Sequence, residues 1–315
     1  MSTGKNELLM WYNGAFIPMQ PVIRPDAKGL NYALANFEGI RAYETCNGNS
    51  AIFRLREHVK RWFYSCEVLG FPIPYSPTEI EMAIEDVVTK NKLKECYIRP
   101  VAWDDTPKVG IHGEPEKVGF CVFPSTFPGG KYIPKESIRV MISKTRRCTP
   151  DPEAKLAANY LYSYLASREA RKAGYDEAIM LDLRGFVSEL PGANIMIIAR
   201  DEVYTPPKDA LVLPGLTRDT VMNRIAPDLN FKVIEQDITV GRLLEDADSA
   251  IAVGTAMEVT RIDTVRNLNG IDVKLGERKG DTYHNYLPEK IKEHYNAIVR
   301  GHIPEHNNLL TYLYS

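Results

Sequence analysis

Neither sign of charge prevails in this chain: 39 lysines and arginines stand against 41 aspartates and glutamates over 315 residues, a net of −2. No bulk field therefore gathers nucleic acid or an anionic membrane, and any charged partner must be met locally. Cysteine is sparse as well. The five thiols (Cys46, Cys66, Cys96, Cys121 and Cys148) are odd in number, widely spaced and never paired as C-x-x-C, so neither a disulfide framework nor a zinc site is indicated. No apolar run approaches the ~18 residues of a spanning helix, and the start, Met1 to Glu7, lacks the apolar core of a signal peptide. A cytoplasmic protein is expected. Internal repeats and low-complexity tracts are missing too. So are a G-x-G-x-x-G opening a helix, a Walker A lysine and a G-x-S-x-G elbow, which removes the best signals for dinucleotide, nucleoside triphosphate and serine-hydrolase chemistry. Of the six histidines only His302 and His306 lie four apart, and Pro304 between them argues against a shared helical face, so no metal site is expected.

What is present is a core. Apolar residues make up 44% of the chain, and the length suits two domains of about 150 residues each. Leu9 to Tyr12, Asn13-Gly14 and Ala15 to Ile17 read as a hairpin, and Gly39 to Glu44 with Ser50 to Phe53 as a second, turning at Asn47-Gly48-Asn49. Val59, Trp62, Phe63, Cys66 and Leu69 recur at helical spacing and Gly70 closes that helix. Ser76-Pro77-Thr78-Glu79 is a capping box opening a helix to about Asn91. Strands are expected at 96–103 and 118–123. A Pro- and Gly-rich stretch from Phe127 to Pro134 marks a linker, giving a small N-terminal α/β domain at 1–127, a linker at 128–136 and a large C-terminal domain at 137–315. That second half reads as a strand at 138–143, a helix at 156–172 and strands at 177–183, 185–189, 194–200 and 203–205, an antiparallel meander, so the fold class is α+β.

Four positions could carry chemistry. Lys155 lies between a loop and a helix whose start is small and apolar, where scarce water favours a nucleophilic amine; an ordinary solvated lysine is the alternative. Glu189 ends a strand before a turn and could fix a cationic ring nitrogen, or be an edge glutamate. Pro214 to Asp219 enters a helix with Thr217 as expected N-cap, a ready phosphate site or a plain cap. Gly254-Thr255-Ala256 ends an apolar strand and can present successive N–H groups to an anion, or simply turn.

Together these four positions offer an amine to form an imine, an acid for a pyridinium nitrogen and two anion cups. The chain resembles a fold type IV pyridoxal-phosphate enzyme of the D-amino acid aminotransferase-like fold, and most closely a branched-chain amino acid aminotransferase. The resemblance rests on ordered blocks: Phe37-Glu38-Gly39-Ile40-Arg41-Ala42-Tyr43, Phe53 to Arg61, Tyr97-Ile98-Arg99-Pro100, Lys155 to Tyr160, Ser188-Glu189, Leu213 to Asp219, Gly254 to Thr260, and the terminal Ile298 to Glu305. It implies a two-domain α+β fold with the cofactor in the interdomain cleft. It also implies that Lys155, in the large domain, is the catalytic residue that bonds the cofactor and shuttles the Cα proton. Glu189 would keep the pyridine nitrogen protonated, and Arg61, Leu216, Thr217 and Thr255 would hold the phosphate. Tyr160 would hydrogen-bond the phenolic oxygen. Tyr97 with the amides of Thr255 and Ala256 is similar to the substrate carboxylate site, and Arg99 to the arginine that receives the second carboxylate of glutamate. Tyr32, Phe37, Arg41 and Tyr132 resemble the side-chain pocket. A loop with Val109-Gly110-Ile111 would reach a second subunit, so at least a homodimer is expected.

The implied reaction is reversible, ping-pong transfer of the amino group of leucine, isoleucine or valine to 2-oxoglutarate. Some positions depart from the family pattern: Ala33-Leu34-Ala35-Asn36 precedes Phe37, Leu190-Pro191 follows Glu189, Ala193 replaces a polar residue, and Ser125-Thr126-Phe127 stands where a tryptophan is common. They spare Lys155, Glu189 and Arg61 but alter the pocket wall. Other amino donors of the same fold type (D-amino acids, (R)-amines or a specialised-pathway substrate) and an aminodeoxychorismate lyase are the alternatives. Tyr97-Ile98-Arg99 weighs against the first two and the long C-terminal tail against the lyase.

Overall fold

The computed structural model describes residues 7–127, 132, 134–199, 202–275 and 283–314. The chain divides into two compact units, one of residues 1–130, 154–158 and 298–315, the other of 131–153 and 159–297. The segments 154–158 and 298–315 thus group with the first unit, although the sequence reading put them, Lys155 included, in the C-terminal domain. Of the expected linker, residues 128–131 and 133 lie outside the described residues.

The first unit opens with β1 (Leu9–Tyr12) and β2 (Ala15–Pro18), paired antiparallel across Asn13-Gly14. Both turn residues have positive φ, 45° and 92°, which matches the twist of the two strands. A short α1 (Lys28–Tyr32) leads to β3 (Ala35–Phe37), β4 (Ile40–Glu44) and β5 (Ser50–Phe53), the last two forming the second expected hairpin. α2 (Leu55–Val68) and α3 (Pro77–Lys90) follow, then the long antiparallel pair β6 (Cys96–Asp104) and β7 (Val118–Ser125). The capping box at α3 forms as read: Ser76 Oγ accepts from Glu79 N–H, and Glu79 accepts from Ser76 N–H. α2 buries Leu55, His58, Val59, Trp62, Ser65 and Cys66 against Ile40, Ala42, Ile98 and Ala102 of the sheet. Each large apolar side chain so buried contributes about 1.5–3 kcal/mol. Two polar residues within that stripe, His58 and Ser65, have tasks other than packing.

The second unit contains β8 (Ser137–Ile142), a 3₁₀ turn at Ala157–Asn159 that belongs in part to the first unit, and α4 (Tyr160–Lys172). β9 (Glu177–Ile179), β10 (Asn194–Ala199) and β11 (Glu202–Thr205) come next. After them run α5 (Leu216–Thr220), a wider π turn at Val221–Ile225 and α6 (Ala226–Asp228). β12 (Val233–Glu235), β13 (Ser249–Gly254), β14 (Glu258–Arg266), β15 (Asp272–Lys274) and α7 (Tyr283–Val299) complete it. The chain then ends in β16 (Leu310–Leu313), which pairs with β5 of the first sheet.

The first sheet runs β16-β5-β4-β6-β7-β1-β2 with β3 beside β6; the second runs β12-β11-β10-β13-β14-β8-β9 with β15 beside β14. The α+β reading holds, but the second sheet is mixed and not an antiparallel meander: β8 pairs parallel with β9 and β14, and β11 pairs parallel with β12. Helices intervene between those strands in sequence, and such connections permit parallel pairing. The strands expected at 177–183 and 185–189 reduce to β9 and an isolated bridge between Leu181 and Val187, because Asp182 accepts from the N–H groups of Arg184 and Phe186 and folds the segment into a turn. Among the described residues no helix is long and apolar enough to cross a membrane.

Candidate active site

In the first unit, strand alternation sorts the candidates. Arg41 stands opposite Tyr97 in register, and Phe37 opposite Val101, so Phe37, Arg41, Tyr97 and Arg99 share one face of the sheet. Asn36, Glu38 and Ile40 face the other way, toward α2; Asn36 donates to Cys66 Sγ at 3.0 Å. On the shared face, Arg99 donates to Tyr97 Oη at 3.0 Å, and its guanidinium lies 4.4 Å from the Phe37 ring centroid and 5.1 Å from that of Tyr97. Tyr97 packs on Phe127 at 5.3 Å, and buried Arg41 lies over Tyr43 at 4.7 Å and Phe127 at 5.8 Å. Phe127, in the stretch that lacks the tryptophan common in the resembled family, thus supplies an aromatic ring. Gly39 admits Tyr97: a Cβ there would meet its hydroxyl at 1.9 Å.

Lys155 joins this group. Buried Ala154 and Leu156 anchor its segment, Leu156 bridging Asn36 of β3. Its N–H donates to Ser65 Oγ at 2.9 Å, its carbonyl accepts from Phe37 N–H at 3.3 Å, and its Nζ lies 5.2 Å from the Phe37 centroid. Arg61, one turn before Ser65 on α2, is held by Glu38 through Nε at 2.6 Å and Nη2 at 2.9 Å. Glu38 is fully buried; burial opposes its charge, but Arg61 and the hydrogen bond from His58 outweigh that and hold the carboxyl far below the usual range. Burial pushes the His58 imidazole down from its ordinary value, against the pull of Glu38, so it sits as a neutral donor through Nδ1. Tyr32, at the end of α1, accepts from Gly110 N–H at 2.8 Å and so tethers the loop on which Val109 and Ile111 are exposed.

In the second unit, Glu189 is buried and its carboxylate is anchored from three sides. Arg147 pairs with Oε1 at 2.8 Å, while Oε2 accepts from Asn194 Nδ2 at 2.9 Å and Leu213 N–H at 3.0 Å. Arg147 is itself tied to Ser163 on α4 and to the Leu211 carbonyl. Gly215 keeps this arrangement open, since a Cβ there would meet Asn194 Oδ1 at 2.0 Å. Gly215, not Thr217, is the N-cap of α5; Thr217 sits inside the first turn, buried, because the extended backbone of the Pro214-Gly215 step starts the helix two residues earlier. Thr255 and Ala256 form the half-buried turn between β13 and β14, Gly254 being paired with Glu258. Tyr160 opens α4, half-buried, and Tyr132 is exposed.

Residues 35–265 match the amino-transferase class IV family. The chain belongs to the class IV aminotransferases. It is 32% identical over 296 residues to the probable branched-chain-amino-acid aminotransferase of Rickettsia bellii, covering 93% of this chain and 96% of the relative. In three dimensions it is similar to the branched-chain aminotransferase of the archaeon Thermoproteus uzoniensis with norvaline, at 34% identity and a TM-score of 0.89 over 98% of this chain and all of that one. It is also similar to the T.th. branched-chain amino acid aminotransferase complexed with N-(5′-phosphopyridoxyl)-L-glutamate, at 35% identity and a TM-score of 0.85, covering 98% and 99%.

Several residues that hold the candidates in place escaped sequence reasoning: Glu38, His58 and Ser65 in the first unit, and Arg147 and Asn194 in the second. A polar residue in the apolar stripe of α2 was the available signal for His58 and Ser65. Arg147, in the run Thr145-Arg146-Arg147, carried none.

Proposed function

We propose that this aminotransferase moves the amino group of leucine, isoleucine and valine reversibly to 2-oxoglutarate, with pyridoxal 5′-phosphate as cofactor, in two ping-pong half-reactions. The observation that carries the reading is the sheet face shared by Phe37, Arg41, Tyr97 and Arg99. Its aromatic rings suit an apolar branched side chain, and Arg99, stacked on them, is suited to pair with the second carboxylate of glutamate. One wall then serves both half-reactions.

The donor set fits the cofactor. A phosphate calls for a cation and for amide or hydroxyl donors: Arg61 of the first unit is suited to the first role, and Leu216, Thr217 and Thr255 of the second unit to the second. A protonated ring nitrogen calls for a fixed carboxylate, and the anchoring of Glu189 by Arg147, Asn194 and Leu213 supports that role. Pyridoxal phosphate supplies, when bound, a carbon that takes the amino group and a ring that takes the electron pair left when Cα loses its proton. Lys155 Nζ is the group that carries that proton, and the fixed main chain at Ser65 and Phe37 keeps the amine over the aromatic wall. Tyr160 is assigned to the phenolic oxygen. Tyr97 and the Thr255 and Ala256 amides are each suited to the substrate α-carboxylate, while Tyr32 and Tyr132 are assigned to the side-chain pocket.

The exposed Val109-Gly110-Ile111 loop on its Tyr32 tether supports donation of that loop to a second copy, hence a homodimer or larger assembly of a cytoplasmic enzyme. An amino-donor panel with 2-oxoglutarate tests the function. Activity with L-leucine, L-isoleucine and L-valine is expected, with a borohydride-fixed cofactor on Lys155. Activity with D-donors alone, or an adduct on another lysine, would overturn it.

A further inference from the structure

The Glu38 carboxylate accepts four hydrogen bonds. Oε1 takes Arg61 Nε at 2.6 Å; Oε2 takes Arg61 Nη2 at 2.9 Å, His58 Nδ1 at 2.8 Å and the Gly39 N–H at 3.2 Å. Its own N–H donates to the Pro100 carbonyl at 2.9 Å, which locks the backbone to β6. With the carboxylate fully buried and one of these donors on Oε1 and three on Oε2, Glu38 acts on a ligand through its partners. Two parallel bonds to one edge of a guanidinium fix its plane, and they turn the Nη1 side away from Glu38. An arginine on α2 without such a clamp would sample the rotamers of four torsions. His58, three residues before Arg61 and fully buried, packs its neutral ring beside the fork and holds Oε2 from a second direction.

The geometry points to Glu38, backed by His58, as the positioning residue that aims Arg61 at the phosphate of the cofactor. The inference rests on the reading of Arg61 as a phosphate group holder. It has a sharp rival, because a carboxylate beside Arg61 also neutralises it and so weakens its attraction for an anion. The two effects predict opposite signs when the charge and fork of Glu38 are removed.

The test is a titration of cofactor-depleted full-length protein with pyridoxal phosphate and, in parallel, with pyridoxal, which lacks the phosphate. Glu38→Gln is expected to weaken pyridoxal phosphate binding by about tenfold or more while pyridoxal changes by less than about twofold. His58→Gln should show a smaller loss of the same selectivity. In the Arg61→Met background, Glu38→Gln should have no further effect on the ratio of the two affinities. Unchanged or tighter pyridoxal phosphate binding by Glu38→Gln, or an equal loss for both ligands, would overturn the inference. Should Glu38→Gln fail to fold, Glu38→Asp keeps the buried charge but shortens the reach, and the same loss of selectivity is expected. An Arg61→Met variant that retains the wild-type ratio would overturn the phosphate reading of Arg61 itself, and that outcome is separate from a null result at Glu38.

Discussion

Ser65 Oγ accepts the main-chain N–H of Lys155 at 2.9 Å while donating to the Arg61 carbonyl at 2.9 Å, so one buried hydroxyl joins α2 to the segment that carries the lysine. Removing it leaves the Lys155 N–H without that acceptor and loosens the amine's base. Ser65→Ala is expected to cost about 1 kcal/mol of stability and to lower kcat about tenfold with KM for leucine little changed. Thermal unfolding and steady-state kinetics check this; a raised KM at full kcat would contradict it.

Arg147 and Glu189 form an ion pair with both side chains almost wholly buried, 5% and 6% exposed. Arg147→Met leaves the buried carboxylate its Asn194 and Leu213 hydrogen bonds but removes the charge of its ion-pair partner, at a cost of about 3–5 kcal/mol. Calorimetry of the variant should show a strongly lowered unfolding midpoint, and Arg147→Met/Glu189→Leu should recover most of it. Failure of the double variant to recover would mean that the pair is not where the loss arises.

Acid should weaken the first unit in two stages. His58 has its folded-state pKa depressed by burial below the ordinary 6.5, so the unfolded chain binds the proton more readily; its contribution is complete above that value and is lost as pH falls from there. Glu38 is depressed from 4.5, and its contribution begins to fade below that value. Unfolding midpoints measured from pH 8 to pH 4 are expected to fall from about pH 6.5 downward. His58→Gln should remove the upper part of that decline, and an identical pH profile in the variant would refute the assignment.

Cys66, Cys96 and Cys121 have thiols that burial pushes up to about 12, whereas Cys46 and Cys148 are exposed. Only a thiolate attacks a disulfide reagent. Native protein should therefore show two fast thiols and denatured protein all five. Fast modification of Cys66 would indicate that α2 does not pack on β3 as described.

How much was legible in the sequence follows from distance along the chain. The Asn13-Gly14 turn, the α2 stripe and the Ser76 to Glu79 capping box are set by neighbours within a few residues, and they form nearly where the pattern puts them. The strands around Asp182 and the N-cap at Thr217 missed because side chains and a glycine backbone made turns that periodicity does not register.

The sequence by itself determined the α+β class, the family blocks and the identity of Lys155, Glu189 and Arg61 as candidates, because residue type and local spacing carry that information. Only the tertiary structure decided what holds them. Ser65 and Lys155 are 90 residues apart, Glu38 and Arg61 23 apart, and Arg147 pairs with Glu189 from outside any shared strand or helix. A buried polar group must find its partner wherever packing brings one, and no local pattern encodes that choice.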